Sequence, residues 1–110
     1  LDEISTTADT FICEMKNGTE ITNYEFNPEK FGIKKIRLDD LKGGSPKQNA
    51  KIIINILNGE KGPMRDVVLV NAASGIIVGN KAQNFDEAID IAKESIDSGK
   101  AKNILEKLSK

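Results

Sequence analysis

The sequence predicts an α/β domain: one β-hairpin, a linker and about four helices, or α+β if the chain is taken by itself. Three observations lead there. Asn17-Gly18 lies between two β-prone runs, the strongest short-range hairpin signal. Three later stretches repeat apolar residues at helical spacing between start and stop residues. Between the first and second of these lies Asp66-Val-Val-Leu-Val-Asn-Ala-Ala-Ser-Gly-Ile-Ile-Val-Gly79, the longest apolar run, with a single charge at its start. Met64 to Val78 is too long for one strand and holds Ala72, Ala73 and Gly75 at its middle, so it reads as a buried helix. Pro63 suits its first position and Gly79 the residue just past its end. The run is too short and too interrupted to cross a bilayer. The remaining elements are expected to cover this helix.

In chain order, Leu1-Asp-Glu-Ile-Ser5 opens with adjacent carboxylates between apolar residues, and Thr6 to Thr10 reads as a loop. The hairpin runs from Thr10 to Lys16 and back from Thr19 to Phe26. A two-residue loop would pair Phe11 with Tyr24, and a three-residue loop Met15 with Ile21. Both strands carry apolar residues on both faces, so cover on both sides is expected in the native setting. Asn27-Pro28 to Gly32 is one capped helical turn. Ile33 to Leu41 is an irregular connection anchored by Ile36, Leu38 and Leu41, and Lys42-Gly43-Gly44 is flexible. Ser45 and Gln48 form a capping box, followed by an apolar stripe of Ala50, Ile53, Ile54 and Leu57 that Gly59 stops. Asn84 and Glu87 form a second box, before a stripe of Phe85, Ala88, Ile89, Ala92 and Ile96 closed by Gly99. Glu87, Asp90, Lys93, Glu94 and Asp97 fall off that stripe and should be solvated. Ala101, Ile104, Leu105 and Leu108 give a last short amphipathic helix.

The 110 residues suffice for one domain burying roughly two thirds of its unfolded surface. Sixteen basic residues against 17 acidic give a net charge of −1, which argues against nucleic acid and anionic membrane as partners. Cys13 is alone, which fits a reducing, cytoplasmic setting. The absence of His excludes His-based acid–base chemistry and His metal ligands in this chain. The chain opens at Leu1 without Met, in what reads as the middle of a motif, so a fragment of a longer protein is expected.

Asp2-Glu3 is the candidate metal pair. Two such carboxylates hold Mg2+ when phosphate oxygens and waters complete its shell; otherwise they are solvated surface. Lys42-Gly-Gly-Ser-Pro46 could present helix N–H groups to an anion, but Pro46 removes a donor and the spacing is not that of a phosphate loop, so it reads as a plain helix entry. Asp39-Asp40 read as solvated, Cys13 as packing, and Asn71 as a buried amide bonded to a neighbouring loop. The residues themselves thus supply no complete active site.

The ordered set of motifs resembles the C-terminal part of anthranilate phosphoribosyltransferase. It consists of Leu1-Asp-Glu-Ile-Ser5, the hairpin, Asn27-Pro-Glu-Lys-Phe-Gly32, Leu41-Lys-Gly-Gly-Ser-Pro-Lys-Gln-Asn-Ala50, Gly59-Glu-Lys-Gly-Pro63 with Arg65 to Ala73, and Ala92 to Ala101. The resemblance spans nearly all of residues 1–110. It implies the C-terminal part of a nucleoside phosphorylase/phosphoribosyltransferase-type catalytic domain. It implies a pentosyltransferase that moves phosphoribosyl from phosphoribosyl pyrophosphate to anthranilate in tryptophan biosynthesis, with Mg2+ on the departing pyrophosphate. Asp2 and Glu3 match the family's metal pair; no catalytic or substrate-binding residue carries over, because those parts of the family's site lie upstream. An N-terminal helical domain through which the parent forms a homodimer is also upstream. Many relatives carry Gly-Pro-Thr where this chain has Ala8-Asp9-Thr10, which bears on the loop rather than the pair. The chain alone is expected to be inactive and, with apolar faces uncovered, to self-associate. The competing expectations are a fragment of a pyrimidine nucleoside phosphorylase-like enzyme, a nucleic-acid-binding relative and a free-standing interaction module.

Overall fold

The computed structural model describes residues 3–109. Its order is a hairpin, two single turns of 3-10 helix and four α-helices, the predicted class. Strands β1 (Thr10–Lys16) and β2 (Glu20–Phe26) pair antiparallel, with Ile12 opposite Tyr24 and Met15 opposite Ile21. The loop therefore has three residues, Asn17-Gly18-Thr19, with Asn17 and Gly18 at φ 53° and 73°. Those left-handed angles are what Asn and Gly tolerate best. The two-residue alternative is overturned: Phe11 faces Glu25, not Tyr24.

This register sorts the side chains. Ile12, Tyr24 and Phe26 turn toward the helices, and Phe11, Met15 and Ile21 turn outward. Among the described residues the hairpin is thus covered on one face. Phe26 is fully buried, stacked on Phe31 with ring centres 5.0 Å apart and tilted against Phe85 at 4.8 Å. Phe31 is brought there by the Pro28–Phe31 turn, which Asn27 caps through the Glu29 N–H and Gly32 closes at φ 73°. Ile33, directly after it, is the buried anchor of the connection. Leu38, expected in that role, is 60 % exposed, on a turn of 3-10 helix (Leu38–Leu41) whose Asp40 carboxylate accepts the Arg37 N–H.

Helix α1 (Pro46–Leu57) starts on the predicted box: Ser45 Oγ accepts the Gln48 N–H, and Gln48 Oε1 accepts the Ser45 N–H. Its buried side is not the predicted one. Ile56 and Ile52 pack inward, whereas Ala50, Ile53 and Ile54 are exposed and Leu57 is half-buried. The run Ile52-Ile-Ile-Asn-Ile-Leu57 is apolar around most of its circumference, so the partner, not the pattern, selects the face.

Helix α2 (Pro63–Val78) has the predicted limits and is central to both core clusters. Val70 and Ala73 meet Phe26, Ile33, Phe85, Ala88 and Ile89, while Leu69 meets Ile56, Ala92 and Ile96. It is not covered all round: Val68, Ala72 and Gly75, about one turn apart, stay exposed. Helix α3 (Phe85–Asp97) lies along α2 and buries the whole predicted stripe. Its cap is only half of a box. Asn84 Oδ1 accepts the Glu87 N–H, but the Glu87 carboxylate accepts from Gln83 instead of Asn84. Gly99, at φ 85°, turns the chain into α4 (Lys100–Leu108), which leaves Ile104 and Leu108 exposed. No described helix is long and apolar enough to cross a membrane.

Candidate functional site

Of the predicted pair, Glu3 is described and exposed; Asp2 lies outside the described residues. Everything just after Glu3 is held. The Ile4 N–H donates to Asn71 Oδ1 at 2.9 Å, and Asn71 Nδ2 donates to the Ile4 carbonyl at 2.9 Å. The second Nδ2 hydrogen goes to the Val67 carbonyl, one turn back on α2, at 2.9 Å. The expected loop-bonded amide at Asn71 is therefore present, although the residue is half-buried rather than buried, and the loop it holds is the one that follows the acidic pair. Ile4 itself packs against the cluster around Val70 and Phe85.

The clamp continues downstream. Ser5 N–H donates to Thr10 Oγ1 at 3.0 Å, Thr7 N–H donates to Ser5 Oγ at 3.0 Å, and the Ser5 and Thr7 hydroxyls share a 2.7 Å bond. The Thr6 carbonyl accepts the Ile36 N–H. Thr6 is fully buried, and its Oγ1 has no protein partner among the described residues. Ala8-Asp9-Thr10 is tied down by its own charge: Asp9 meets Lys35 Nζ at 2.8 Å. The hydrogen bond with Asp9 raises the Lys35 pKa, so the ammonium form is favoured further.

A cleft of about 200 Å³ lies beside this loop, between the inner face of the hairpin and α2, lined by Ile4, Ile12, Tyr24, Ser74, Ile77 and Phe85 among others. Two of its polar side chains already serve each other. The Tyr24 hydroxyl donates to Glu14 Oε1 at 2.7 Å. Burial first, then that bond and the Glu14 charge, push the Tyr24 pKa up to about 12, so the phenol stays protonated.

The other candidates stand apart. At the start of α1, Asn49 Oδ1 accepts the Gly44 N–H, and Gln48 accepts at Ser45. Chain neighbours thus fill the donors an anion would need, and a Cβ on Gly43 or Gly44 would collide with the Asn49 or Gln48 side chain. Asp39 and Asp40 are exposed, and Cys13 is exposed on the outer face of β1 rather than packed as expected. Among the described residues no three His, Cys, Asp or Glu side chains are grouped to hold a metal.

One ion pair was not anticipated. Arg65, 4 % exposed, donates through Nη1 and Nη2 to both carboxylate oxygens of Asp97, at 2.9 and 3.1 Å. Arg65 lies in the first turn of α2 and Asp97 ends α3, each at the helix end disfavouring its charge, so the pairing relieves both. Asp97, expected to be simply solvated, is half-exposed but engaged. Hydrogen bonding from Arg65 lowers its pKa, against partial desolvation.

The comparisons with known proteins are consistent along the chain. Residues 1–102 match the family described as "Glycosyl transferase family, a/b domain". An anthranilate phosphoribosyltransferase of Clostridium beijerinckii is 50 % identical over 109 residues, covering 99 % of this chain and 32 % of the relative. One from Methanobrevibacter smithii is 45 % identical over 107 residues, covering 97 % and 32 %. The crystal structure of the Thermus thermophilus enzyme of that name superposes with a TM-score of 0.81 at 33 % identity, over 92 % of this chain and 30 % of that one. A Saccharomyces cerevisiae enzyme of the same name, in complex with PRPP and Mg, gives 0.78 at 29 % identity, over 96 % and 29 %. This chain thus spans about a third of the length of the relatives it matches.

Proposed function

Since this chain belongs to the glycosyl transferase family, within its a/b domain, we propose that it is the C-terminal part of an anthranilate phosphoribosyltransferase catalytic domain. The parent transfers phosphoribosyl from phosphoribosyl pyrophosphate to anthranilate. The carrying observation is the 50 % identity to an enzyme of that name over 99 % of the chain. The Saccharomyces complexes named for PRPP and Mg and for 4-fluoroanthranilate support the substrates. A cytoplasmic setting and a parent that dimerises through a preceding helical domain belong to the same proposal, as does inactivity of these 110 residues alone.

In this reading the C1–O bond to pyrophosphate breaks, a C1–N bond to the anthranilate amine forms, and the amine gives up a proton. Asp2 and Glu3 would hold the Mg2+. The donor chemistry fits: Glu3 is an exposed carboxylate, and among the described residues no closed cage of acidic groups surrounds it. Mg2+ prefers one or two carboxylates with water and substrate phosphate oxygens over an all-protein cage. A metal held by these carboxylates would supply stabilisation of the negative charge that develops on the leaving pyrophosphate. The chain's own contribution is positional: Asn71 holds the Ile4 backbone beside Glu3, in a reaction whose rate depends on aligned reactants.

The test is the metal requirement of the intact protein. Asp2→Asn with Glu3→Gln should abolish anthranilate consumption at low Mg2+ and restore some of it at high Mg2+. Unchanged activity and metal requirement would sink the assignment of the pair.

A further inference from the structure

We propose that Asn71 is a positioning residue for Glu3, acting through the backbone of Ile4. This rests on the reading of Asp2-Glu3 as the metal pair. A primary amide carries the same donor and acceptor as a peptide group, and Asn71 uses both on one residue: Oδ1 accepts the Ile4 N–H and Nδ2 donates to the Ile4 carbonyl. Two bonds to one residue fix the rotation of the chain about its own axis as well as its position. The consequence is visible in the side chains: Ile4 turns into the core and Glu3 stays exposed.

The clamp is itself rigid. The remaining Nδ2 hydrogen donates to Val67 O, which holds the side-chain rotamer against α2. Ser74 Oγ donates to the Asn71 carbonyl from the next turn. The amide has only one usable orientation, since flipping it would set Oδ1 against two carbonyls and Nδ2 against an N–H. Asn71 is also one position from Val70 and two from Ala73, both fully buried, so its base does not move with the surface. The chain thus couples Glu3, an exposed carboxylate, to the central helix α2 through one side chain. Outer partners of this kind change metal affinity by roughly 10–100-fold when removed.

The experiment uses the intact protein and compares wild type, Asn71→Leu, Asn71→Asp and Glu3→Gln. Asn71→Leu keeps the branched heavy-atom skeleton and loses all three bonds; Asn71→Asp keeps the acceptor and loses both donors. The readouts are the Mg2+ concentration for half-maximal anthranilate consumption, the KM for anthranilate and the thermal midpoint. Both Asn71 variants should need roughly 10-fold more Mg2+, with the anthranilate KM within about twofold of wild type. A purely structural role would lower the midpoint and the folded fraction without moving the metal requirement. If Glu3→Gln raises the requirement and the folded Asn71 variants do not, the positioning role is overturned and the function stands. If Glu3→Gln also leaves it unchanged, the metal reading falls and this inference falls with it. Wild-type hydrogen exchange gives an arm that no variant's folding can spoil: the Ile4 amide should be protected, and free exchange there would overturn the clamp.

Discussion

Two phenylalanines of one hairpin should respond oppositely to truncation. Phe26 is 1 % exposed and packs on both Phe31 and Phe85; Phe11, nearly opposite it on the paired strand, is 70 % exposed. Phe26→Ala removes the ring that joins the hairpin to α3 and leaves a cavity between Phe31 and Phe85. Loss of a buried aromatic side chain costs about 3–5 kcal/mol. In a domain of about this length that lowers the thermal midpoint by roughly 15 °C. Phe11→Ala touches a solvated ring and should stay within about 0.5 kcal/mol of the parent. Urea unfolding followed by circular dichroism, at one low protein concentration, measures both. The contrast depends on the three-residue loop: in the two-residue register Phe11 would sit opposite Tyr24, on the face that carries Phe26. Equal losses from the two substitutions, or a Phe11→Ala loss above about 2 kcal/mol, would refute both the register and the assignment of the inner face.

Tyr24 is the sole tyrosine, so its ionisation can be read directly in the ultraviolet: the midpoint should be about 12 in the folded chain and near 10 in urea. The raised value means that this contribution to stability is complete below pH 10 and is lost as pH climbs toward 12. Glu14→Gln should bring the folded midpoint down only partway, because burial is the larger cause. Asp97 has the opposite sign: its depressed pKa contributes stability above its ordinary value of 3.8 that is lost as pH falls through the lowered one. Asp97→Asn should therefore lower the thermal midpoint at pH 7 and flatten its acid limb, and an unaltered acid limb would count against the pair. Phe11, Met15 and Ile21 on the hairpin and Ile104 and Leu108 on α4 are exposed, so the 110-residue chain should sediment as a concentration-dependent mixture. A clean monomer at high concentration would refute that expectation.

The elements with their own punctuation were legible in the sequence. Pro63 and Gly79 bound α2, and the stripe from Phe85 to Ile96 is the buried side of α3, because polar residues separate it from the rest of the helix. Where the answer depended on a distant surface, the pattern could not supply it. Asn17-Gly18 suits loops of two or three residues, and α1 offers apolar groups on several sides. The Glu87 carboxylate accepts the N–H one residue before the cap, a choice the box motif does not encode. The candidate site was legible only in part. Asn71 stood out as the one amide side chain in an apolar run, but its bond to Ile4 spans 67 positions. Arg65 and Asp97 are 32 positions apart, with nothing local to link them. The identity of the acidic pair came from the ordered motifs, since two neighbouring carboxylates have no distinctive pattern of their own.

The most direct test of the central proposal is acceptor choice in the intact protein. With Mg2+ present, anthranilate consumption should require phosphoribosyl pyrophosphate, and thymidine and uridine should not be cleaved by phosphate. Phosphorolysis of either nucleoside without any use of anthranilate would contradict the account and place the chain in the sister class of enzymes.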